Sequence, residues 1–202
     1  MPPPASCVLG FAPHSGWAAV VMLGGSRDAP RVLTRERLEM TDASLEGSKQ
    51  PYHALEGLPL PEARRRLALL EASAAALAAD GLRLLIARAR SAGAEARAAG
   101  ILDSAGRGGV SLEAILASHA LIHSADGHHF RAALAQGCQA LGLSVTRVPQ
   151  RQLTERAAAA LRKTPDQLVT AVAGLGRGVG APWGADQKSA ALLAWLLLAI
   201  TD

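Results

Sequence analysis

Aromatic side chains are scarce in this sequence: three tryptophans, two phenylalanines and one tyrosine among 202 residues. A core that cannot be filled with rings is filled with small aliphatic side chains, which favour closely packed helices. Cysteine is rarer still. Cys7 and Cys138 lie far apart and share no metal-ligand spacing, so they read as small buried hydrophobes in a reducing compartment, and there is no paired C-x-x-C zinc knuckle. No strong charge of one sign is present either. The formal charge is +4, and Arg64, Arg65 and Arg66 form the one three-residue basic run. That run reads as a solvated helix face or as a phosphate contact, and the overall charge permits only weak attraction to polyanions.

Long apolar runs are missing too. Ala190 to Ile200 is the most apolar stretch near the end, too short to span a bilayer and better placed as a buried helix. The opening Met1 to Ser6 carries three prolines and no basic region, so no secretory signal is expected there, and the chain is expected to be cytoplasmic with no membrane segment. The sequence has no G-x-x-x-x-G-K-[ST] phosphate loop, no dinucleotide fingerprint after a strand and no serine nucleophile elbow.

What is present is an ordered succession of elements in one domain spanning 1–202. Cys7 to Leu23 runs apolar, turns at Pro13, His14, Ser15 and Gly16, and runs apolar again, which is a hairpin pattern. Arg31 to Met40 supplies a third antiparallel strand. After a polar connection, Pro61 and Glu62 open a helix in which Leu67, Leu70, Ala74, Leu77, Gly81, Leu85 and Ala89 repeat at three and four residues, as far as Ser91. Gly81 is its weak point, where a break into a strand over Leu82 to Ala87 is the rival reading. EARAAGILD, Glu95 to Asp103, reads as a fourth strand ending in the turn cluster Ser104, Gly106, Gly108 and Gly109. Ser111 caps a helix closed by Gly127, and Phe130 to Leu141 forms another. Ser144 to Val148 is a fifth strand. Helices follow over Gln152 to Leu161, Pro165 to Ala173 and Ala185 to Ile200.

VLGFAPHSGWAAVV near the start resembles the pattern Gly-Ile-Asp-Pro-Gly, turn, Gly-Trp-Ala-Val-Val of the RuvC-type Holliday-junction resolvases, and GAPWGADQKSAALLAWLLL is similar to their terminal helix. The order of elements matches as well. The resemblance implies an α/β ribonuclease H-like fold, a five-stranded mixed sheet flanked by helices. It also implies Mg2+ or Mn2+ held by carboxylates for phosphodiester hydrolysis, nucleic acid as partner and a possible homodimer. The chain departs from that pattern at its most telling position. Ala12 stands where the first aspartate is expected, Asp186 matches the first acidic position of the terminal helix, and Ser189 replaces the second. Asp103 could match the acidic residue of the fourth strand, so Asp103 and Asp186 are the expected metal ligands. The rival function is a catalytically inactive adaptor or oligomerising module on the same fold.

His119 and His123 lie four apart on a helix, so their rings share one face and could grip an ion or act as a base beside the two carboxylates. His128, His129 and Asp126 follow closely. His14 and Ser15 sit beside Ala12, either in substrate contact or as ordinary turn residues. Tyr52, His53 and Glu56 occupy the connection before the long helix. Gly174, Gly176, Gly178 and Gly180 alternate around Arg177, as an anion cradle or as a linker.

Overall fold

The computed structural model describes residues 5–104 and 109–201. Met1 to Pro4 of the opening segment, and Gly106 and Gly108 of the expected turn, lie outside the described residues.

Strands β1 (Ala5–His14), β2 (Trp17–Gly25) and β3 (Pro30–Glu39) form an antiparallel meander. Helix α1 (Leu60–Ser91) then crosses the sheet and feeds β4 (Ala94–Asp103), which pairs parallel to β1. Helices α2 (Leu112–Leu116) and α3 (His119–Ala140) lead to β5 (Ser144–Pro149), parallel to β4. The chain ends in α4 (Leu153–Leu161), α5 (Pro165–Leu175) and α6 (Ala185–Thr201). Spatial strand order is β3-β2-β1-β4-β5, a five-stranded mixed sheet as the sequence predicts.

Alternation along the strands divides the interior in two. Cys7, Leu9, Phe11, Ala99 and Ile101 face α1 and α3, where Phe130, Leu134 and Leu82 meet them. Val8, Ala12, Ala98 and Leu102 face α6, α4 and α5. Each buried leucine or phenylalanine contributes roughly 1.5–3 kcal/mol by leaving water. The helix α6 lies unusually near the sheet. A Cβ on Gly10 would run into the Ala190 carbonyl oxygen, and one on Gly100 would lie 2.7 Å from Leu193 Cγ. Two glycines side by side on adjacent strands, Gly10 facing Ala190 and Ala194 and Gly100 facing Leu193 and Leu197, allow that approach.

One helix expectation changes and another holds. The helix expected to close at Gly127 does not; α3 runs through Gly127 without interruption, and the break falls at Ser118, whose backbone is extended. A mid-helix glycine costs about 1 kcal/mol, and burial of Ile122, Phe130 and Leu134 on one helix face outweighs it. The rival break at Gly81 does not occur. Gly81 sits inside α1 where the helix crosses β3, and a Cβ there would lie 2.9 Å from Leu38 Cγ. Among the described residues no helix is long and apolar enough to cross a membrane.

Candidate functional site

The carboxyl end of β1 reaches the first turn of α6, with β4 running parallel beside β1, and the residues there are set by strand parity. Phe11 pairs with Ile101, so the next residues, Ala12 and Leu102, lie side by side, and both belong to the core that faces α6. Two apolar side chains thus occupy the neighbouring strand positions. Asp186 projects from α6 above them and meets His14 across 3.0 Å, Nε2 to Oδ1, with both side chains about 40% exposed. The His14 ring stacks on Trp17 with centroids 4.4 Å apart and planes 11° from parallel. The Arg37 guanidinium carbon lies 3.8 Å from the centroid of the same tryptophan. Asp186, His14, Trp17 and Arg37 therefore make one continuous polar and aromatic rim. Cross-strand adjacency of β2 and β3 brings Arg37 to Trp17, a contact the sequence signals only once the strand register is known.

Asp103 takes the opposite parity. It follows Ile101 onto the face of α1 and α3, where it lies 3.8 Å from Arg131 Nε and 3.5 Å from Arg147 Nη1. Arg131 is anchored by donating to the Leu102 carbonyl at 3.1 Å and to the Gly127 carbonyl. Burial pushes the Arg131 pKa down, Asp103 pulls it back up, and Arg147 lowers it again. The sheet therefore stands between Asp103 and Asp186.

His119 and His123 do face one another, Nε2 to Nε2 at 3.0 Å. A third histidine joins them. The connection after β3 brings in His53, whose ring stands edge-on to His123 at 4.5 Å and to His119 at 5.4 Å between centroids. One ligand nitrogen from each of the three lies within 4.8 Å of the others. His53 Nδ1 is bound by the Asp126 carboxylate, and the other oxygen of Asp126 accepts the Tyr52 amide at 2.7 Å. Glu56 lies 3.7 Å from His119 Nδ1. Asp126 is nearly fully buried. It stands seven residues after His119 and three after His123, on the same helical stripe, which is the sequence signal that ties it to the pair.

Beside this group a cleft of about 680 Å³ opens between α1 and α3, lined among others by Tyr52, Glu71, His128 and His129. Burial raises the Glu71 carboxyl. Burial, then Glu71 and Asp126, raises the Tyr52 phenol. His129 is pushed down to about 4 by burial. Elsewhere, Arg64 pairs with Glu113 at 2.6 Å and Arg66 with Glu46 at 2.9 Å on the outer side of α1. In the glycine-rich segment, Gly176 packs flat against the Trp183 indole, whose Nε1 donates to the Val172 carbonyl.

No protein-family description matches the chain, and no curated protein matches it. Solved structures do. A complex described as Thermus thermophilus RuvC with Holliday junction substrate aligns with a TM-score of 0.55 and 13% identity, over 97% of this chain and 94% of that one. A second RuvC structure from Thermus thermophilus aligns with a TM-score of 0.53 and 12% identity, over 96% and 95%. With the mixed sheet order and the helices on its two faces, these alignments make the fold of this chain the RuvC-type ribonuclease H-like fold.

Proposed function

We propose that this chain binds nucleic acid along the rim formed by His14, Trp17, Arg37 and Asp186, without the two-ion hydrolysis of a working resolvase. The stack of His14, Trp17 and Arg37 carries the reading. Its planar groups offer faces to bases, and the Arg37 guanidinium, which also pairs with Glu39, brings positive charge toward the backbone at the same edge where α6 and β1 meet. The similarity in fold to a protein described in complex with a Holliday junction supports a branched duplex as the first substrate to try.

Hydrolysis by two Mg2+ or Mn2+ ions needs several converging carboxylates. At this rim Ala12 and Leu102 stand where strand-borne ligands would face α6, Ser189 follows Asp186 by one turn, and Asp103 is engaged with arginines across the sheet. Asp186 with His14 is what the α6 face retains.

The test is fluorescence anisotropy with labelled four-way junction, linear duplex and single strand at low and moderate salt. Binding that weakens with salt, and about tenfold further in Trp17→Ala or Arg37→Ala, supports the reading. No binding of any substrate at low salt overturns it and leaves the adaptor reading. Incubating the same junction with Mg2+ or Mn2+ tests the second clause: cleavage that Asp186→Asn abolishes would contradict it.

A further inference from the structure

His53, His119 and His123 make up the densest group of ligand nitrogens in the described structure, and it lies on the α3 side of the sheet, away from the rim that faces α6. We propose that these three histidines hold one divalent transition-metal ion of the zinc class, with a fourth coordination position left open to water or an anionic oxygen.

The donor set favours this. Imidazole nitrogens suit zinc, copper, iron and nickel, whereas Mg2+ and Mn2+ seek oxygen. Three protein ligands with one open position is the arrangement of zinc centres that keep an exchangeable water. The carboxylates behind the rings match it as well. Asp126 occupies His53 Nδ1, leaving Nε2 as the ligand atom. Glu56 approaches His119 Nδ1, and the Nε2 of His119 is the nitrogen that meets His123. A carboxylate on the far nitrogen fixes the ring and its tautomer and makes the other nitrogen a better donor.

Distance is compatible with this assignment. Metal–nitrogen bonds of about 2.0–2.1 Å in a tetrahedron set ligand nitrogens about 3.3 Å apart. The two α3 histidines already stand 3.0 Å apart, and all three ligand atoms lie within 4.8 Å. His119 and His123 are exposed and can turn about their side-chain bonds, while His53 is held by Asp126. The group thus joins a fixed ligand from the loop after β3 to two adjustable ligands on α3. Bound metal would fasten that loop to the helix.

The inference stands apart from the nucleic-acid reading, since it uses none of the same residues. The experiment is titration of the purified full chain with zinc by calorimetry, alongside the visible spectrum of the cobalt(II)-loaded protein. His119→Ala, His123→Ala and His128→Ala are run in parallel, each checked for fold by circular dichroism. His128 shares the helix but not the cluster, which makes it the control. The expected result is one equivalent bound with a four-coordinate cobalt spectrum, retained in His128→Ala and weakened about a hundredfold or more in the other two. No zinc binding by the wild-type chain overturns the proposal, as does binding that survives both His119→Ala and His123→Ala.

Discussion

Asp126 reaches His53 across seventy-three residues of sequence, giving one carboxylate oxygen to the imidazole and the other to the amide of Tyr52. Both contacts come from one buried side chain, so a single acid on α3 holds two neighbouring residues of the loop after β3. Asp126→Asn separates its two tasks. The amide oxygen still accepts from Tyr52, but the amide nitrogen donates to His53 Nδ1 and moves the ring proton to Nε2. Zinc affinity is expected to fall about 10–100-fold while the far-ultraviolet spectrum stays unchanged. Equal zinc affinity in the two proteins would show that the tautomer has no part in binding.

His129 makes stability depend on pH. Its imidazole, unpartnered at Nε2 and buried, binds a proton at about 4 when folded and near 6.5 in the unfolded chain. Between those values the unfolded state holds more protons. The stabilisation is complete above the ordinary imidazole range and is lost as pH falls toward 4, by on the order of 3 kcal/mol. Urea midpoints measured from pH 7 to pH 4 should fall less steeply for His129→Leu than for the parent chain. Parallel slopes would discount the burial of this ring as the cause.

Gly10→Ala should destabilise the protein by about 3 kcal/mol, because its methyl group would enter the space of the Ala190 carbonyl. Gly57→Ala, with no atom near the added carbon but a backbone φ of +76°, tests conformational strain without a clash. Chemical denaturation of the two variants distinguishes the mechanisms, and a smaller loss at Gly10 than at Gly57 would argue against close contact of β1 with α6.

Both thiols should be inert in the native protein. Burial, with Glu95 adding to it, raises Cys7 to about 11, and burial raises Cys138 to about 12. Neither forms thiolate near neutrality. Reaction with a chromogenic disulfide is expected only after denaturation, when both cysteines should titrate. Rapid labelling of the folded chain would mean that one of these helix or strand contacts opens readily.

The strand and helix order was legible because turn residues punctuate it: Pro13 to Gly16 marks the first hairpin and Ser111 caps a helix, just as the side chain does in the structure. Gly127 misled because a glycine near the end of a polar stretch looks like a terminator, whereas buried neighbours decide whether a helix continues. Asp103 illustrates a different limit. Its position at the end of β4 was readable, but a strand's register against its neighbour is not, and a one-residue difference decides which face a side chain takes. The pair His119 and His123 was visible from helical spacing. His53 was visible only as a member of a loop trio, since nothing local says where a connection of that length returns to the surface.

Because the sheet is a single layer, it acts as a partition between two sets of substitutions. The His14 and Asp186 rim lies on one side with α6, and the three-histidine group lies on the other with α3. Changes on one side leave the contacts of the other untouched, so stability effects of a rim variant and a histidine-group variant should sum to within about 0.5 kcal/mol. The surroundings of Ala12 and the three-histidine group therefore lie behind opposite walls of one sheet, and a change at either is felt by its own helices first.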